Sequence, residues 1–307
     1  MLWGRPTDSY GYALTIFATP RSGSSLLSAL LQAHPDVAMY WEIFKALGDY
    51  PLNAMRSDPR TTPTLQKAID RRRQAPGPLI DALLRELPGR RRVQAYKLFG
   101  FDQYFNAHLP WSVVDEQIIR ASRPSRYLVL ERRNVLAQYV SLLAAQQTNA
   151  WNTARTDKVK VTVNATRFAT FARMHRLWYQ FVRGALHAAH RPFTNLYYER
   201  DLEQQGAVDA TVARMLSVLN LTRFSYAELA ARAARDAAGG TPLPLHLFRK
   251  QAPAHLRESI ANLQELLDDT HACRYLEVEG RSSCSASSTD EEREQRKLQP
   301  RRSTVPR

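Results

Sequence analysis

Short apolar runs alternate along this chain with longer stretches of helical periodicity. Tyr12–Ala18 (YALTIFA), residues 94–99 (QAYKLF), 126–131 (RYLVLE) and 193–198 (FTNLYY) are compact and β-prone. Such runs suit strands covered on both faces, as in a parallel sheet, rather than half-solvated hairpins. Helical spacing fills the intervals: residues 26–34 up to Pro35, then around 79–87, 111–122, 134–147, 165–190, 208–219 and 260–270. The alternation predicts an α/β fold, a mainly parallel sheet flanked by helices on both faces.

The pattern is less regular between residues 49 and 92, which hold several prolines and the arginine triplets 71–73 and 90–92. This stretch reads as an insert in a single domain covering residues 1–279. From Gly280 the sequence turns to Ser, Arg, Glu and Gln with almost no large apolar residue, which predicts a disordered C-terminal tail over 280–307. No internal repeat is visible.

Composition is ordinary for a globular protein, with 44% hydrophobic and 23% charged residues among 307. Charge is not ordinary: 43 Lys and Arg against 29 Asp and Glu leave +14. That surplus favours a polyanionic partner, whether nucleic acid, an acidic membrane face or a phosphate-rich small molecule. Cys273 and Cys284 lack zinc-ligand spacing and cannot form a disulfide framework; they fit a reducing compartment or one late bridge. No apolar run reaches the length of a membrane span, and the N-terminal run is broken by Pro20 and Arg21 with no cleavage-site pattern after it. The expectation is a cytoplasmic protein whose first strand begins near Tyr12.

Two strand-to-helix junctions carry the candidate chemistry. At TPRSGSS (residues 19–25) a buried strand enters a helix N-terminus, whose backbone N–H groups lack intrahelical partners and sit at the positive end of the helix dipole. Ser22, Gly23, Ser24 and Ser25 let the backbone close around tetrahedral oxygens, and Arg21 adds a charge that can fork onto phosphate. The same residues also suit a plain turn with Ser24 or Ser25 as helix cap. The loop is P-loop-like but departs from GxxxxGK[ST]. No lysine follows the glycine, and no acidic strand end stands ready for Mg²⁺, which argues against a kinase or ATPase and for metal-free chemistry.

The second junction is ERRNVLAQYVS (residues 131–141), with Arg132 and Arg133 at a strand end and Ser141 two turns into the next helix. Both groups can meet one anion at the carboxyl edge of the sheet, or they form a solvated arginine pair and an ordinary helix serine.

TPRSGSS with LLSALLQAHPDV, and then RRNVLAQYVS, resembles the sulfotransferases that use 3′-phosphoadenosine-5′-phosphosulfate (PAPS). The similarity is greatest to the bacterial carbohydrate branch that includes trehalose 2-sulfotransferase and the Nod-factor sulfotransferases. It extends over about residues 12–270 and is interrupted across the insert. The resemblance implies that Arg21, Ser22, Gly23, Ser24 and Ser25 cradle the 5′-phosphosulfate. It implies that Ser141 with Arg133, or alternatively Arg132, holds the 3′-phosphate. YWEIF places Glu42 as catalytic base, AYKLF places Lys97 at the sulfuryl oxygens or beside Glu42, and LYYERDL is similar to the element after the last core strand. RKQ, followed by a segment with Asn262, is similar to the late loop over the nucleotide and points to Lys250. The implied reaction moves a sulfuryl group from PAPS to a hydroxyl of a carbohydrate or glycolipid, without a metal.

Each assignment has a plainer rival in the residues themselves. Glu42 can be a surface carboxylate paired with Lys45, and Lys97 a strand-end lysine reaching solvent. His34 can rival Glu42 as base, and Trp151 can stack on adenine, line an acceptor pocket or fill the core. At the level of function the rivals are a P-loop-like kinase or nucleotide-binding protein, and a basic binder of nucleic acid or anionic membrane. The scatter of the basic residues argues against the last. A glycolipid acceptor brings membrane contact, and a homo-oligomer is open.

Overall fold

The computed structural model describes residues 11–44, 62–86, 92–101, 109–149, 151, 159–203, 205–238 and 259–262. Its centre is a parallel sheet of β1 (Tyr12–Ala18), β2 (Val37–Met39), β3 (Val93–Phe99), β4 (Ser125–Glu131) and β5 (Phe193–Tyr197), in the order β2-β3-β1-β4-β5. The expected α/β architecture is therefore present.

The doubly apolar character of β1 follows from its place in the middle. Ala13 and Phe17 face one layer and Leu14, Ile16 and Ala18 the other, all fully buried. The first layer packs against α2 (Pro63–Asp70), α3 (Pro76–Glu86), α4 (Trp111–Val114), α5 (Val135–Thr148) and α6 (Ala165–Ala188). The second packs against α1 (Ser24–Gln32), α7 (Gln205–Val218) and α8 (Tyr226–Ala238). Burial on both faces leaves no polar alternation to read, which is why the core strands appear as continuous apolar runs.

Capping fixes the helix starts. Asn134 accepts from the Ala137 N–H at 2.9 Å, and Asn164 from the Arg167 N–H at 2.9 Å. Thr62 accepts from Leu65 N–H at 3.2 Å, with Pro63 at the first helical position.

Several elements depart from the expectation. β2 is a fifth strand, too short to show a period of its own, and gains its place by pairing with β3. α2 adds a second helix to the insert, beside the expected one that is present as α3. α8 starts with a reciprocal cap in which Ser225 N–H donates to Glu228 at 2.7 Å and Glu228 N–H donates to Ser225 Oγ at 3.2 Å. The helix expected over 111–122 is α-helical only to Val114, continues as a π-turn over Asp115–Ile119 and stops at Arg120. Ile260 bridges Val161 in parallel, instead of opening a helix at once. Residues 263–270, the tail, Lys45, Lys250 and both cysteines lie outside the described residues. Among the described residues, no helix is long and apolar enough to cross a membrane.

Candidate active site

β1 lies between β3 and β4, and the chain leaves it toward β2 on one side before returning to β4 on the other. Such a reversal opens a crevice at the carboxyl ends of the strands, and the 19–25 loop stands there. Its backbone is bent to an unusual degree. Arg21 has φ 64 and Gly23 φ 85, both left-handed. A side chain at Gly23 would place its Cβ 2.5 Å from the Tyr198 ring, so glycine is required here by conformation and by contact.

The floor of the loop is braced from below. Trp178 Nε1 donates to the Ala18 carbonyl at 3.0 Å, and its ring lies so close to Gly100 that a Cβ there would fall 2.1 Å away. α1 begins at Ser24 with no side chain capping it and no acidic residue in its first turn. Ser22 is fully buried, and its Oγ has no partner among the described residues.

The second junction reaches the first directly. Arg21 Nε donates to Ser141 Oγ at 2.9 Å, and another of its nitrogens donates to the Trp151 carbonyl. Arg132, itself buried, donates to the Arg21 carbonyl at 3.2 Å, and its guanidinium lies 4.7 Å from the Tyr198 ring centroid. Arg133 turns the other way. It is exposed, with its guanidinium 3.9 Å from the Tyr197 ring, while its backbone N–H and that of Asn134 donate to the Glu199 carboxylate at 3.0 and 2.8 Å. That carboxylate takes the two amides just before α5, and the Asn134 side chain takes that of Ala137 in its first turn.

Electrostatics make this corner short of negative charge. Burial, then the neighbouring Arg132 cation, pull the Arg21 pKa down to about 10. Burial also lowers that of Arg132, opposed by Tyr198 and Glu199. Both remain cations at neutral pH, and no carboxylate pairs with either guanidinium among the described residues. Two neighbouring buried guanidiniums suit a polyanionic ligand, and Arg132 Nε and Ser22 Oγ are buried polar atoms without a hydrogen-bond partner among the described residues.

The third group comes from β3. Lys97 is buried, holds Glu42 in an ion pair at 3.0 Å and donates to Ser25 Oγ at 3.3 Å. Its ammonium sits 5.2 Å from the Trp41 ring and 5.1 Å from that of Phe99. Lys97 is thus no solvent-reaching lysine, and Glu42, with 23% of its side chain exposed, faces the loop rather than open solvent. Trp41, just before Glu42, is left-handed at φ 56, a strained state for a bulky residue.

Arg21, Ser22, Gly23, Ser24, Ser25, Lys97, Glu42, Arg132 and Ser141 therefore meet at one edge, while Arg133 lies apart on Tyr197. Trp151 is half-buried against the core and contributes its carbonyl. Asn262 exchanges two bonds with Val163, at 2.9 and 3.0 Å, tying the late segment to the start of α6. His34 takes no part. At the far end of α1 its Nδ1 accepts from Asp36 N–H at 3.1 Å and its Nε2 meets the Thr222 carbonyl at 3.0 Å. Tyr198, which walls Gly23 and stacks on Arg132, had only the LYYERDL similarity to mark it. Gln138, which holds the loop from α5, carried no sequence signal at all.

Residues 14–225 match the sequence model of the Sulfotransferase family. No curated protein matches the sequence. Among solved structures, the sulfotransferase domain from the curacin biosynthetic pathway is similar at 12% identity and a TM-score of 0.46, covering 86% of this chain and 96% of that one. A mouse sulfotransferase solved in complex with PAP is similar at 13% identity and a TM-score of 0.44, covering 88% and 85%. Both likenesses are distant, whereas the family match spans more than two-thirds of the chain, and on that match the protein belongs to the sulfotransferase family.

Proposed function

We propose that this protein transfers a sulfuryl group from PAPS to a hydroxyl of a carbohydrate or glycolipid acceptor. The supporting observation is the meeting of Arg21, Ser141 and Arg132 behind one loop whose front is joined through Lys97 to a carboxylate. The acceptor class rests on the similarity of TPRSGSS and RRNVLAQYVS to the bacterial carbohydrate branch.

PAPS supplies the sulfuryl group and leaves as 3′,5′-bisphosphoadenosine. In this reading, the loop amides of residues 22–25 and Arg21 bind the 5′-phosphate and neutralise the charge that grows on it as the S–O bond breaks. Ser141 and Arg132 hold the 3′-phosphate; Arg133, exposed on Tyr197, is the alternative that must swing inward to do so. Lys250 would approach from the late loop. Glu42 accepts the proton of the acceptor hydroxyl as the new O–S bond forms. Lys97 keeps that carboxylate aimed at the loop and lends positive charge to the transferring oxygens. Positioning and fixed charge carry the catalysis, so no metal is invoked.

The reading is tested by titrating the protein with 3′,5′-bisphosphoadenosine and then following PAPS consumption across sugars and glycolipids. Saturable binding and consumption that depends on one acceptor class support it. Absence of both overturns it. A basic binder of nucleic acid or membrane would instead show affinity that collapses with salt at no discrete site.

A further inference from the structure

We infer that Gln138 is a positioning residue that sets the conformation of the donor loop through a directional chain of hydrogen bonds. The inference rests on the reading of residues 19–25 as the donor loop.

Gln138 lies on α5 one turn before Ser141 and is fully buried. Its Nε2 donates to Thr19 Oγ1 at 2.7 Å and to the Pro20 carbonyl at 2.5 Å. Two acceptors on one nitrogen fix which way the amide points, since its own oxygen against the Pro20 carbonyl would be repulsive. The rest of the chain follows from that donor. Tyr179 Oη donates to the Leu130 carbonyl at 2.5 Å, so in its 3.2 Å contact with Thr19 it accepts, and Thr19 donates. Protons thus run from Gln138 to Thr19, from Thr19 to Tyr179 and from Tyr179 to the end of β4. All four groups are buried, where an unmade bond costs more than a made one gains.

This chain acts on the two residues just before Arg21, the non-glycine residue of the loop held left-handed. A methionine is of similar length but donates to neither acceptor; the amide's own Oε1, buried without a partner among the described residues, adds no bond, so the contribution of Gln138 lies in its N–H₂. Gln138 and Ser141 share one helix, so the same element that offers Ser141 to Arg21 also fixes the backbone from which Arg21 projects.

The test measures the dissociation constant for 3′,5′-bisphosphoadenosine, well below the melting temperature, in full-length wild type and in Gln138→Met, Thr19→Val and Thr19→Ser. Gln138→Met is expected to weaken binding by about tenfold or more, the equivalent of one or two buried bonds. Thr19→Val is expected to weaken it by about threefold to tenfold on the same basis, with Thr19→Ser restoring it. Gln138→Met combined with Thr19→Val should fall short of the product of the two single losses, because they share a bond. Wild-type affinity in Gln138→Met, or equal affinity in Thr19→Val and Thr19→Ser, overturns the inference, even if melting temperatures fall. Should Gln138→Met not fold, the Thr19 pair decides alone. Wild type that binds no bisphosphate removes the donor reading itself and the positioning role with it, an outcome distinct from failure of the variants.

Discussion

Arg21 sits where charge, strain and geometry meet. Its guanidinium is buried beside the Arg132 guanidinium and bonded to Ser141, and among the described residues no carboxylate forms an ion pair with either cation. Arg21→Ala should cost at least a hundredfold in bisphosphate affinity, measured by titration, because it removes a charge-assisted contact in a water-poor corner. Glu42→Gln has the opposite signature: bisphosphate affinity near wild type, with kcat down by a factor of about a hundred or more, the scale of general-base removal. Turnover at the wild-type rate would mean the proton goes elsewhere. At this level the sequence was informative about residue type and position. It could single out Arg21, Glu42, Lys97 and Ser141, but not the bond from Arg21 to Ser141. Only the resemblance set Lys97 beside Glu42; the residues alone read equally as a solvent-reaching lysine, because the pairing spans more than fifty residues and nothing local encodes it. The pair Arg132–Arg133 shows the same limit. Two adjacent arginines are alike in sequence, and only the wall made by Tyr198 and Tyr197 separates a buried one from an exposed one.

The 19–25 loop is only as well formed as the elements that press on it. Gly23 combines a left-handed backbone with contact against Tyr198. Gly23→Ala should therefore lower stability by at least about 1–3 kcal/mol, the scale of the backbone strain before the clash is added, read as a fall in the denaturant midpoint. Combined with Tyr198→Ala, the loss should be smaller than the sum of the two single losses, since the clash is with that ring. Strands and long helices were legible because each has a period or a continuous apolar run to display. β2 was not, being three residues long and dependent on β3 for every ladder bond. α8 did carry a local signal, Ser225 three residues before Glu228, that apolar periodicity alone passes over. The π-turn after α4 and the isolated bridge at Ile260 come from tertiary packing, for which the sequence has no short-range mark.

Taken whole, the molecule buries several titratable groups, and this shapes its response to acid. Burial, with Arg183 adding to it, depresses the His175 pKa to about 3, against a usual 6.5, and burial lowers that of His34 as well. Between those limits the unfolded chain takes up a proton at position 175 that the folded chain refuses. The folded state is therefore fully favoured above about pH 6.5 and loses roughly 1.4 kcal/mol per pH unit from this one group as pH falls toward 3. Chemical denaturation at stepped pH should show that slope, and His175→Asn should flatten it. The surplus of positive charge acts differently. It draws anions to the surface at any salt-sensitive spot, whereas a built donor site keeps its stoichiometry as salt rises.

That contrast makes calorimetric titration with 3′,5′-bisphosphoadenosine, in wild type and Arg21→Ala at low and at physiological salt, the most direct measurement. A donor site assembled by the 19–25 loop and Ser141 predicts one nucleotide per chain under both conditions in wild type, and none in Arg21→Ala. Binding of several nucleotides that fades with salt and ignores the substitution, or no binding by wild type, would contradict it.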